Sequence, residues 1–139
     1  MMQEFYRTGD SNRDSKPLIL VVEDDDDSRQ MLKFMLETWD FSVLEAADGI
    51  EALTLGSRMQ PNLILMDARL PGLDGFQVTK RIRDDAFIKD TPIFFITGCA
   101  ELMYKKSAIN AGANEYFTKP VEFDELKLKI DKYISREIQ

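Results

Sequence analysis

The sequence predicts an α/β fold, a doubly wound five-stranded parallel sheet with helices on both faces. Strand-like and helix-like patterns alternate from residue 17 to residue 135 in five successive units. The helix-like segments are apolar on one side only, whereas the central strand-like segments are apolar throughout, as strands covered on both faces must be. Right-handed crossovers then leave few arrangements besides three layers.

The first strand, read over 18–23, is carried by Leu18-Ile19-Leu20-Val21-Val22. A helix over 26–40 follows from Met31, Leu32, Met35, Leu36 and Trp39, whose three- and four-residue spacing turns one side toward the sheet. Residues 41–45 form the second strand and 49–59 the second helix. Leu63-Ile64-Leu65-Met66 forms the body of the third strand (62–66), and Asp74 and Gly75 serve the turn into a helix over 75–84. A fourth strand over 92–97 and helix over 101–111 precede a fifth strand over 115–118. The last helix, 123–135, shows Leu126, Ile130, Tyr133 and Ile134 on one side. Residues 1–16 mix Arg, Asp, Ser, Asn and Gly with little apolar surface to offset the entropy of ordering. The expected organisation is a flexible arm over 1–16 and one domain over 17–139.

A chain of 139 residues suits one domain with its own core. The net charge of -7 repels nucleic acid and anionic membrane surfaces, so neither is expected as a direct partner. One cysteine excludes an internal disulfide, and the absence of histidine removes the commonest metal ligand and neutral-pH base. Chemistry here must use carboxylates, hydroxyls and lysines. No apolar run approaches the roughly 20 residues of a membrane helix, and the N-terminus has no apolar signal core, so a cytoplasmic protein is expected. Too little chain follows the last helix for a second domain, which makes a stand-alone domain without an output module the expectation.

Ligands of doubly wound sheets bind beyond the carboxyl ends of the strands, and those ends carry Glu23, Asp24, Asp67, Thr97 and Lys119. Acids gathered on one rim call for a cation, and oxygen ligands suit Mg²⁺. Asp24 and Asp67 are expected as direct ligands, with Glu23 or Asp25 reaching through water. Once its charge is neutralised, Asp67 can act as a nucleophile toward phosphorus. Lys119, fixed before Pro120, supplies an ammonium, and Thr97, before Gly98, supplies a hydroxyl.

Four separated motifs occur in order: Val21-Val22-Glu23-Asp24-Asp25, Asp67 with Leu70-Pro71-Gly72-Leu73-Asp74-Gly75 behind it, Ile96-Thr97-Gly98, and Tyr116-Phe117-Thr118-Lys119-Pro120. Together with Ala47-Asp48-Gly49 before the second helix, they resemble the receiver domain of two-component response regulators. The resemblance implies the flavodoxin-like strand order 2-1-3-4-5 and Asp67 as phosphoacceptor. It further implies Mg²⁺ held by Asp24, Asp67 and the backbone carbonyl of Arg69, with Glu23 assisting through water. Lys119 would contact the phosphoryl group, and Thr97 and Tyr116 would form the switch pair. The phosphoryl group would come from a histidine kinase or histidine phosphotransfer protein. A downstream protein would read the state through the fourth helix, fifth strand and fifth helix. Such a domain acts in its own phosphorylation and is not a turnover enzyme. The alternative is a receiver-like interaction module that is never phosphorylated. A haloacid dehalogenase-type phosphatase would place its nucleophile after the first strand, and a flavodoxin-like carrier would have hydroxyls and glycines where this chain has acids.

Overall fold

In a computed structural model that describes residues 16–98 and 100–134, five parallel strands form one sheet in the order β2-β1-β3-β4-β5. The strands are β1 (Leu18–Val22), β2 (Ser42–Ala46), β3 (Leu63–Met66), β4 (Ile93–Thr97) and β5 (Glu115–Thr118). The helices are α1 (Asp26–Thr38), α2 (Gly49–Met59), α3 (Gly75–Arg83), α4 (Leu102–Ala111) and α5 (Phe123–Tyr133). The expected fold and strand order are both present. The expected arm over 1–16 lies outside the described residues except for Lys16, whose ammonium meets Asp40 Oδ1 at 3.3 Å.

The continuous apolar runs are explained by the two-period of a strand, which sends alternate side chains to opposite faces. Leu20, Val22, Ile64, Met66, Ile93 and Phe95 pack with Ala52 of α2, Val78 and Ile82 of α3 and Ala108 of α4. Ile19, Val21, Leu63, Leu65, Phe94 and Ile96 pack on the other face with Leu32 and Leu36 of α1 and Leu126 and Ile130 of α5. The apolar side of α1 is narrower than its spacing suggests: Leu32 and Leu36 are buried, but Met31 is 58 % exposed. Met103 of α4 is also exposed.

Acidic side chains start four helices by accepting a backbone N–H that the first turn leaves unbonded. Asp25 accepts from Ser28 at 2.8 Å, Asp48 from Glu51 at 2.8 Å and Glu122 from Glu125 at 2.9 Å. Asp74 and Gln77 exchange such bonds reciprocally at 2.9 and 3.0 Å, which gives Asp74 the turn role expected of it. Helix α1 ends at Thr38 and not at residue 40, because Asp40 adopts a φ of 71° and the Phe41 N–H turns back to Leu36 O at 3.0 Å.

Two side chains tie elements together without any periodic signal. Arg83 ends α3 and donates to Gly112 O through Nε and Nη2 (3.0 and 2.8 Å), to Lys89 O and Thr91 O through Nη1 (2.8 and 2.7 Å), and to Asn114 Oδ1 (3.0 Å). Gly112 has a φ of 119°, and a Cβ there would strike Arg83 Cγ at 2.8 Å, so only glycine both turns the chain and leaves room for the arginine. Glu45, on edge strand β2, accepts from Arg29 Nε and Lys33 Nζ at 3.1 Å each and from Gln30 at 2.8 Å. Burial alone would raise the Glu45 carboxyl, but these bonds outweigh it and hold it below the usual carboxylate value.

Arg83→Met should lower the unfolding free energy by about 2–3 kcal/mol in urea titrations, because three carbonyls lose a charged donor. A depressed carboxyl binds its proton more weakly folded than unfolded, so its stabilisation is complete above the unfolded value and is lost as pH falls through the folded one. Glu45→Gln is therefore expected to be less stable than wild type near neutral pH and to lose less stability on acidification, measured by urea titration across the acid range.

Candidate functional site

Sheet register builds the site. Val22 pairs with Met66, so the next residues, Glu23 and Asp67, leave the sheet side by side, and Asp67 N–H donates to Val22 O at 3.0 Å. The β1/β3 junction is where the chain's winding reverses, the place at which doubly wound sheets open a crevice. Thr97 ends β4 opposite Thr118, and the Lys119 N–H bonds Thr97 O at 2.8 Å, which carries Lys119 onto the same rim. The Lys119-Pro120 peptide is cis.

Glu23, Asp24 and Asp67 bring one carboxylate oxygen each to within 4.8 Å of one another. Glu23 is 3 % exposed and Asp67 8 %, while Asp24 faces solvent. Lys119 Nζ donates to Glu23 Oε1 at 2.6 Å and to Asp67 Oδ2 at 3.1 Å. The Glu23 side chain also accepts the Asp25 N–H at 3.0 Å, and its carbonyl accepts from Arg29 Nη1 at 2.8 Å. Asp67 Oδ1 accepts the Arg69 N–H at 3.0 Å. Gly75 opens α3 directly against this loop: its N–H bonds Ala68 O at 2.9 Å, and a Cβ would collide with the Asp67 carbonyl.

The electrostatics are unbalanced. One ammonium against three carboxylates leaves a twofold negative excess in a partly buried space. Burial, with a further push from the charge of Asp67, raises the Glu23 carboxyl above its ordinary value despite the opposing Lys119 bond. Burial would pull Lys119 down, but its bonds to Glu23 and Asp67 prevail and hold it raised. An all-oxygen donor set with this excess fits a hard divalent cation such as Mg²⁺.

Thr97 is 1 % exposed, and its Oγ1 has no hydrogen-bond partner among the described residues. A buried hydroxyl left this way is costly and stands ready for a partner at the rim. Tyr116 is half-buried on the same sheet face, stacked on Phe95 at 6.3 Å between ring centroids. The structure thus brings Glu23, Asp24, Asp67 and Lys119 into one pocket and places Thr97 and Tyr116 on adjoining strands beside it. Sequence reasoning missed Arg29, whose bond to the Glu23 carbonyl steadies the acid loop, and no spacing or motif singles it out. It also missed Phe76 and Tyr104, which with Asp24, Arg69 and Leu70 line a cleft of about 420 Å³ beside the Asp67 loop.

Residues 19–131 match the family described as the response regulator receiver domain. The chain is 32 % identical over 120 residues to the DNA-binding dual master transcriptional regulator RpaA of Synechocystis sp., with 86 % of this chain and 50 % of that protein covered. It thus spans about half the length of that regulator. An uncharacterized 14.6 kDa protein of Leptolyngbya boryana is 37 % identical over 83 % of this chain and 88 % of its own. Among solved structures, the receiver domain of sensor histidine kinase PA1611 from Pseudomonas aeruginosa, with a magnesium ion coordinated in its active site cleft, is similar at a TM-score of 0.81 and 33 % identity. That match covers 87 % of this chain and 99 % of the other. Register, pocket and matches agree: the chain belongs to the response regulator receiver domain family.

Proposed function

We propose that this receiver accepts a phosphoryl group on Asp67 from a histidine kinase or histidine phosphotransfer protein, with Mg²⁺, and thereby switches its affinity for a partner protein. The observation that carries the reading is the Lys119 ammonium held between Glu23 and Asp67 at 2.6 and 3.1 Å. Asp24, Asp67 and the Arg69 backbone carbonyl would hold the ion, with Glu23 assisting through water. When bound, Mg²⁺ would offset the acidic excess and polarise the phosphoryl oxygens.

An Asp67 carboxylate oxygen attacks phosphorus as the bond from phosphorus to the donor's imidazole nitrogen breaks, and the imidazole leaves with a proton from solvent. Lys119 has three donors, two of them engaged by Glu23 and Asp67, which leaves one for a phosphoryl oxygen. The Arg69 N–H orients the nucleophilic carboxylate through Oδ1. Asp67 is consumed and regenerated within the protein itself, so no turnover of an outside substrate is proposed.

An apolar groove of about 470 Å³ between α1 and the loop after β5, lined by Met31, Leu32, Ile96, Pro120, Val121 and Phe123, reaches Lys119 and suits a docking donor helix. For the output, the new charge of roughly -1.5 to -2 draws the unpartnered Thr97 hydroxyl inward, and Tyr116 turns into the space. The face of α4, β5 and α5 would present the result, and on it Leu102, Met103 and Ile109 are exposed. Among the described residues, no helix is long and apolar enough to cross a membrane.

Acetyl phosphate with Mg²⁺ should add a single phosphoryl group to the wild type and none to Asp67→Asn, read by intact mass. An unmodified wild type would instead favour the interaction module that is never phosphorylated. Lys119→Met should slow adduct formation by about 10²-fold, the scale of removing one preorganised donor from developing charge, followed by mass over time.

A further inference from the structure

We infer that Tyr104 of α4 is a third member of the switch, coupled to Tyr116 through a continuous chain of aromatic rings; this rests on the phosphorylation reading above. Tyr116 stacks on Phe95 with centroids 6.3 Å apart and planes 19° apart. Phe95 meets Phe76 of α3 at 5.3 Å and 34°. Phe76 meets Tyr104 edge-on at 5.8 Å and 76°. All three spacings lie in the range where ring pairs attract beyond their area. The chain crosses four elements, β5, β4, α3 and α4, and joins two residues that share no strand.

Close packing makes the coupling discrete. Phe95 is fully buried, so its ring has no solvent into which to yield. When Tyr116 turns toward the space left by Thr97, the face of Phe95 that it covered must be covered again. The nearest mobile partner is Phe76, which is only half-buried. A shift of Phe76 changes the edge on which Tyr104 rests. A second observation points the same way: Phe76 and Tyr104 wall the cleft that Asp24, Ala68 and Arg69 line, so the same two rings border the loop of the phosphoacceptor. Tyr104 thus borders the cleft beside the Asp67 loop and is linked to the Thr97 side through Phe76 and Phe95. It acts as a positioning residue for α4, touching neither phosphoryl group nor ion.

The test is ¹⁹F NMR of the full chain labelled with 3-fluorotyrosine, its resonances assigned by single Tyr→Phe variants, before and after acetyl phosphate with Mg²⁺, with the adduct verified by mass. Tyr133 packs against Phe94 on the opposite sheet face and serves as the still reference. The expected result is that Tyr116 and Tyr104 both shift on phosphorylation while Tyr133 does not, and that in Phe76→Leu the Tyr104 shift is lost while Tyr116 still shifts, by an altered amount. Tyr104→Leu, at a half-exposed position that tolerates change, should alter the Tyr116 shift in return, because coupling is reciprocal. An adduct-bearing wild type with an unmoved Tyr104 overturns the inference and leaves the receiver reading standing. So does a Tyr104 shift that is equal in wild type and Phe76→Leu, or a Tyr116 shift indifferent to Tyr104→Leu. A chain that takes no adduct overturns both.

Discussion

Uncompensated negative charge at the ends of β1 and β3 is the constraint around which this domain is arranged. It follows from pairing: with Val22 opposite Met66, Glu23 and Asp67 must emerge as neighbours. A slip of one residue would also reverse which side chains face each helical layer, so the core that fixes the register fixes the charge cluster with it. The single ammonium in the pocket arrives from 96 residues beyond Glu23 and 52 beyond Asp67. It is delivered only if β4 and β5 are both in place, since the Lys119 backbone hangs from Thr97. Four of the five strands are needed to hold one ion pair.

The two ends of the sheet treat cations in opposite ways. At the carboxyl end, one lysine bonds two of three clustered acids, and burial pushes Glu23 away from its ionised form. At the other end, the Arg83 guanidinium is surrounded by carbonyl and amide oxygens that neutralise nothing but satisfy every direction in which it donates. The first arrangement is unstable without a counter-charge and therefore responsive to one. The second ties the segments before β4 and β5 to the end of α3.

Much of this was legible in the sequence because burial leaves a direct trace. Strands covered on both faces must be apolar at every position, which marks Leu63 to Met66 and Ile93 to Ile96, and the polar residues that stop such runs fall on the rim. Asp67 and Thr97 are found by that rule, before any likeness is considered, whereas Lys119 ends a strand, Glu115–Thr118, that is neither apolar nor buried throughout and is marked instead by its place before Pro120. Boundaries were less legible, since Asp40 ends α1 through its own backbone angle, which no spacing encodes. The apolar face of α1 is narrower than its spacing suggests: Met31 continues the period yet stays exposed, while Leu32 and Leu36 are buried and Trp39 packs half-buried against the same core. Arg83 sits among Lys80, Arg81 and Asp84 and looks like one more solvated charge, because its four acceptors lie in loops with no periodic signature. The Phe76, Phe95, Tyr104 and Tyr116 contacts join residues from four elements, and only the packed coordinates bring them together.

The layered architecture also separates two tasks that the proposed reaction must connect. The groove that suits a phosphodonor lies on the α1 and α5 side of the sheet, lined by Leu32, Ile96 and Phe123. The aromatic chain lies on the opposite side, among α3, α4 and the faces of β4 and β5. The buried central strands of the sheet stand between them, and close-packed apolar layers do not pass a charge signal from face to face. The rim is where the sheet ends and both sides meet the same atoms. There, successive residues of β4 serve opposite faces: Ile96 walls the groove, and Thr97 carries its unpartnered hydroxyl on the aromatic side. Charge placed on Asp67 therefore acts on both layers at once, without the core having to deform to carry it.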